Sequence, residues 1–111
     1  MSQKDFINLE ISLDNNKVPE KIEWRASGNE DGKKAQEIKA FFLTMFDPES
    51  RDTMQMDLWT KEMQIIEMDR FVFQSLSALS ELYFRATKNK ELANDMKKFM
   101  QYFGQKTEIL S

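Results

Sequence analysis

Ile7, Leu9, Ile11 and Leu13 alternate with Asn8, Glu10, Ser12 and Asp14, the two-residue period of a half-buried strand. The spacing predicts a first strand over about 6–14. Asn15-Asn16 tolerates the positive φ of a tight turn, so a two-residue loop leads into a second strand over about 18–26. In that register Leu13 faces Val18, Leu9 faces Ile22 and Ile7 faces Trp24, and Glu10 meets Lys21 as a cross-strand charge pair. Pro19 has no amide to give a ladder, which places an edge or a bulge there. Ser27 to Ala35 is polar, holds two of the three glycines and reads as the longest loop.

A second hairpin pairs about 39–46 with about 53–59 around Asp47-Pro48-Glu49-Ser50-Arg51-Asp52, with Pro48 placed to start the turn. Met45 then faces Met54, Leu43 faces Met56 and Phe41 faces Leu58, all core-type residues. A helix through Ala35–Phe46 is the competing reading, and the paired register decides against it. Beyond Thr60, a candidate N-cap, the period changes. Ile65, Met68, Val72, Leu76, Leu79, Tyr83 and Ala86 recur at steps of three and four, the stripe of a helix over about 61–87. Asn89 can end it or cap the next. Leu92, Met96, Phe99, Met100 and Phe103 mark a shorter helix over about 90–103, with Gly104 as its expected terminator. The order predicts an α+β domain over 1–111: two layers, with one four-stranded antiparallel sheet made of two hairpins, followed by a long and a shorter C-terminal helix.

Composition narrows the chemistry. The 111 residues contain neither cysteine nor histidine, which removes disulfides, thiolate chemistry, the commonest zinc ligand and the commonest general base. Asp47, Glu49 and Asp52 offer oxygen ligands, but an acidic turn lacking the glycine and ligand ladder of a calcium loop reads as a solvated turn. Glu91 with Asp95, or Glu62 with Glu67, could approach on a helix, but without an apolar pocket such pairs are ordinary surface. No phosphate-binding glycine loop or nucleophile motif is present. The expectation is therefore no enzyme, no cofactor and no metal. The net charge of −3 gives no field toward nucleic acid. All of the excess acid lies in residues 1–61, which hold nine basic and twelve acidic side chains, against seven of each in 62–111. No apolar run is long enough for membrane insertion, and Met1-Ser2-Gln3-Lys4-Asp5-Phe6 lacks a signal peptide's apolar segment. A cytoplasmic location follows as the expectation.

What remains unusual is apolar. Nine Phe, two Trp and eight Met exceed what one small sheet face and a narrow helix stripe require. Phe42, Phe46 and Trp59 fall on the outer face of the second hairpin, where a contiguous aromatic patch marks an interface. Besides its main stripe, the long helix carries Ile66, Phe73 and Phe84 along one flank. These six are the candidate protein-interface residues, and an open edge strand beside them favours a homodimer.

Four segments carry a family resemblance. Leu13-Asp14-x-Asn16-x-Val18-Pro19-Glu20-x-Ile22-x-Trp24, Asp57-Leu58-Trp59-Thr60-Lys61-x-Met63, Glu67-Met68-x-x-Phe71 and Arg85-Ala86-Thr87, in this order, resemble the gliding motility-associated GldC family from about Ile7 to Phe103. Phe46 stands where the family pattern has Trp, and Ser75 where it has Thr. The resemblance implies an accessory of gliding motility and its associated secretion machinery, with protein partners, no cofactor and no catalytic residue. The physical reading of Trp59-Thr60 is a strand-to-helix corner, with Trp59 fixing the exit direction and Thr60 capping the helix. The alternative is a cytoplasmic chaperone for exported proteins, since four strands and two helices in this order resemble the SecB chaperones at fold level.

Overall fold

A computed structural model describes residues 3–28 and 34–110. Most of the loop expected at Ser27–Ala35 therefore lies outside the described residues. The chain divides into two compact units, Met1–Met63 and Gln64–Ser111, the first built of strands and the second of helices.

In the amino-terminal unit β1 (Ile7–Leu13), β2 (Pro19–Ala26) and β3 (Gln36–Ile38) form one antiparallel sheet in that order, while β4 (Ala40–Phe46) and β5 (Thr53–Trp59) form a second, two-stranded sheet. The single four-stranded sheet expected from the alternation is thus corrected to two sheets and five strands. The cause is a bend at Lys39, which interrupts one long strand: β3 before it pairs with β2, and β4 after it pairs with β5.

The first hairpin also departs from its expected register. Ile7 pairs with Ala26, Leu9 with Trp24 and Ile11 with Ile22, a slip of two residues that keeps every apolar side chain on its face. Asp14 is responsible. Its Oδ1 accepts the amides of Asn16 (2.8 Å) and Val18 (3.0 Å), and Lys17, not Asn15 or Asn16, takes the left-handed conformation at φ 63°. The loop is longer than two residues, and a bulge opens where Leu13 meets Pro19. Glu10 consequently faces Glu23 and pairs diagonally with Arg25 at 3.9 Å, while Lys21 pairs with Glu23. Ile22, between Ile11 and Ile38, is fully buried.

The second hairpin has the register read from sequence: Phe41–Leu58, Leu43–Met56 and Met45–Met54 are all partners. Its loop closes on Asp47, whose Oδ2 accepts the amides of Glu49 (3.1 Å) and Ser50 (2.7 Å).

The carboxy-terminal unit is a helical hairpin, α1 (Ile65–Thr87) and α2 (Lys90–Lys106). The cap of α1 is Gln64, whose amide donates to Glu67 Oε1 at 3.0 Å, as in a capping box. Thr60 is not a cap. It continues the β5 ladder, donating its amide to the Lys39 carbonyl at 2.8 Å, and is only 4% exposed. Lys88 closes α1 in the left-handed conformation and Asn89 caps α2, its side chain accepting the Leu92 amide. Gly104 does not terminate α2, which runs on to Lys106. It serves close packing instead. A Cβ there would lie 2.6 Å from Phe73 Cε1 and 2.8 Å from Leu110 Cγ and Cδ1. The buried residues of both helices, Ser80, Ala93 and Gly104, are all small. Ile65 and Leu79, from the apolar stripe of α1, stand exposed.

Candidate interaction surface

Two of the sequence segments quoted above meet in space. The Lys61 ammonium lies 3.2 Å from Asp14 Oδ2 and 3.8 Å from Glu20 Oε1, and the Lys61 amide donates to the Pro19 carbonyl at 3.1 Å. The Val18 amide is the main influence holding the Asp14 carboxyl below the usual aspartate range, with Asn16 and Lys61 adding to it. Asp14 in turn raises the Lys61 ammonium above the usual lysine range. Asp14 is half-buried while Lys61 and Glu20 are exposed, all three are paired, and the work of the cluster is mechanical: it ties the turn of the first hairpin to the exit of β5. It gives Lys61, the last residue of the Leu-Trp-Thr-Lys run, a physical role that the corner-and-cap reading did not. Asp47 is likewise held low, chiefly by the Ser50 amide and hydroxyl, so the acidic loop spends a carboxylate on its own turn. Among the described residues no three carboxylates gather as a metal ion would need.

The second hairpin presents apolar side chains on both faces. Phe42, Phe46 and Trp59 share one face by register, 54%, 66% and 55% exposed. On the opposite face Met45, Met54 and Met56 are exposed as well. A two-stranded ribbon is marginal unless something covers it. Deeper in the unit Leu9 and Ile11 of β1 and Phe41, Met56 and Leu58 of the hairpin line an open groove of about 480 Å³.

On the helical unit Ile66 and Phe84 are exposed, and the Lys88 ammonium sits 5.7 Å from the centre of the Phe84 ring. Phe73, on the same flank by sequence, is half-buried and adjoins Gly104. The helical periodicity did not single out a second exposed aromatic group on α2. There Phe99 and Tyr102 are both exposed with ring centres 6.3 Å apart, and Lys106 lies over Tyr102 at 5.8 Å. The signal was available, since steps of three and four from Phe99 reach Tyr102 and Lys106 on one side of the helix. Met45, Met54 and Met56, core-type residues by register, stand exposed on the other face of the hairpin.

No helix among the described residues is long and apolar enough to cross a membrane. The sequence matches the family described as gliding motility-associated protein GldC-like over residues 19–109, so β1 and the Asp14 turn lie outside the matched stretch. No curated protein and no solved structure matches the chain.

Proposed function

The chain belongs to the GldC-like family of gliding motility-associated proteins, and on that premise we propose that it is a non-catalytic accessory or assembly protein of the motility machinery and its associated secretion apparatus. It works in the cytoplasm by protein–protein contact. The observation that carries this reading is the β4–β5 hairpin, which exposes large apolar side chains on both of its faces. Exposed Trp and Phe in one patch are the side chains from which interface hot spots are made. The flank of α1 bearing Ile66 and Phe84 is the second contact surface, and Phe73 supports it from beneath.

The test is capture of partners by the tagged protein from its native cells, with Trp59→Ser and Phe42→Ser as variants. Motility-machinery components that co-purify with the wild type and are lost from folded variants support the reading. Retention of the same components by both variants removes the hairpin from it. The apolar groove between β1 and the hairpin favours one other reading, a SecB-like chaperone holding exported chains. Suppressed aggregation of an unfolded client by the purified protein would select that one.

A further inference from the structure

We propose that the outer edge of β4 is a self-pairing edge, on which a second copy of this chain docks antiparallel about Leu43. The proposal rests on the reading that the protein works by protein contact, and it names one partner. The Lys39 carbonyl accepts the Thr60 amide, and the Asp47 amide donates to the Asp52 carbonyl. Odd-numbered residues of β4 therefore turn their backbone groups toward β5. Ala40, Phe42, Thr44 and Phe46 turn theirs away, and neither strand of this sheet has a further strand partner among the described residues.

Ala40–Phe46 contains no charge and no proline, the two devices that ordinarily blunt an edge. The edge of β1 differs. Residues 5–14 carry Asp5, Glu10 and Asp14 and no base, so a second β1 would meet like charge.

Charge also selects the register. With Leu43 on the two-fold axis, Phe41 faces Met45 of the second copy, Phe42 faces Thr44, Ala40 faces Phe46 and Lys39 faces Asp47. The only two charges in the stretch then attract, once at each end. Moving the axis to Thr44 sets Asp47 against Phe41, and moving it to Phe42 sets Lys39 against Met45. In the chosen register small Ala40 separates Trp59 from the second copy's Phe46, so the aromatic faces of two hairpins become one. Edge pairing leaves Phe42, Phe46 and Trp59 on an open face, so the area it takes from water is chiefly that of two short strand edges. That falls below a standard stable interface of roughly 1,200–2,000 Å², so the dimer is concentration-dependent.

Sedimentation of the full chain from low to high micromolar concentration should show mass rising from 13.2 kDa toward twice that value. Thr44→Pro removes only an outward amide and spares the β5 ladder. It should weaken association about tenfold or more, as for two lost hydrogen bonds per dimer. Leu43→Cys, in a chain without native cysteine, places two thiols across the axis with Cα atoms about 4.5 Å apart, within disulfide reach. It should cross-link on oxidation, and Met54→Cys should not. If Thr44→Pro disrupts the fold, the cysteine pair decides alone. A mass of 13.2 kDa at every concentration, unchanged association of folded Thr44→Pro, or equal cross-linking through position 54 would overturn the proposal. Partner capture by wild type and Trp59→Ser tests the wider reading separately.

Discussion

Replacing Gly104 with alanine isolates the contact that sets how closely α1 and α2 approach. In a helix interior the change would ordinarily gain about 1 kcal/mol in propensity. Here the new methyl falls 2.6 Å from Phe73 Cε1 and 2.8 Å from two carbons of Leu110, where carbon pairs prefer about 3.5–4.0 Å. Leu110 lies beyond the end of α2 and can turn aside. Phe73 lies within α1 and has to retreat by about 1 Å, by a poorer rotamer or by separation of the helices. Overpacking of this kind costs about 1–3 kcal/mol. Set against the propensity gain, the expected result is a net loss of about 1 kcal/mol. Urea titration followed by helical circular dichroism measures it, with the slope unchanged. Adding Phe73→Leu to Gly104→Ala should recover part of the loss, giving a coupling energy of about 0.5 kcal/mol or more. A Gly104→Ala protein more stable than wild type by the full propensity gain would refute the close approach.

The Asp14 carboxyl is held low in the fold, so its contribution is present above the ordinary aspartate range and is lost as pH falls through the lowered value. Asp14→Asn should flatten the dependence of stability on pH between about pH 5 and pH 2, and an unchanged slope would remove the Lys61–Asp14–Glu20 tie from the account. Lys61 has the opposite sign: its raised value gives stability that is complete below the ordinary lysine range and lost as pH rises through it. Lys61→Met should therefore leave alkaline unfolding less steep than in wild type. Asn89→Ala deletes the side-chain acceptor for the Leu92 amide and should lower helical-unit stability by about 1 kcal/mol, read from the same urea titration. An unaltered midpoint would show that the cap contributes nothing.

Much of the fold was legible in the sequence where the pattern is dense and local. The β4–β5 register follows from six apolar residues facing one another across a six-residue loop, and no other pairing satisfies them. Asn89 was legible as a cap because capping is decided within four residues. The failures share a cause, which is long-range geometry. The bend at Lys39 has no Gly or Pro to announce it. Thr60 carries every local sign of an N-cap, but its amide is taken by Lys39, twenty-one residues earlier. Gly104 reads as a helix stop unless one knows that Phe73 and Leu110 press on it. At the candidate surface, residue type marked Phe42, Phe46 and Trp59, whereas the partial burial of Phe73 depends on where α2 folds back.

Trp59 offers the most direct test of whether the hairpin face is a contact surface. In a Trp24→Phe background it is the sole tryptophan, so its emission and its quenching by iodide report that face alone. In the free protein the account predicts red-shifted, readily quenched emission, moving to the blue and becoming protected as partner proteins are added. Emission already blue and protected in the free protein, or equally exposed under every condition, would contradict it.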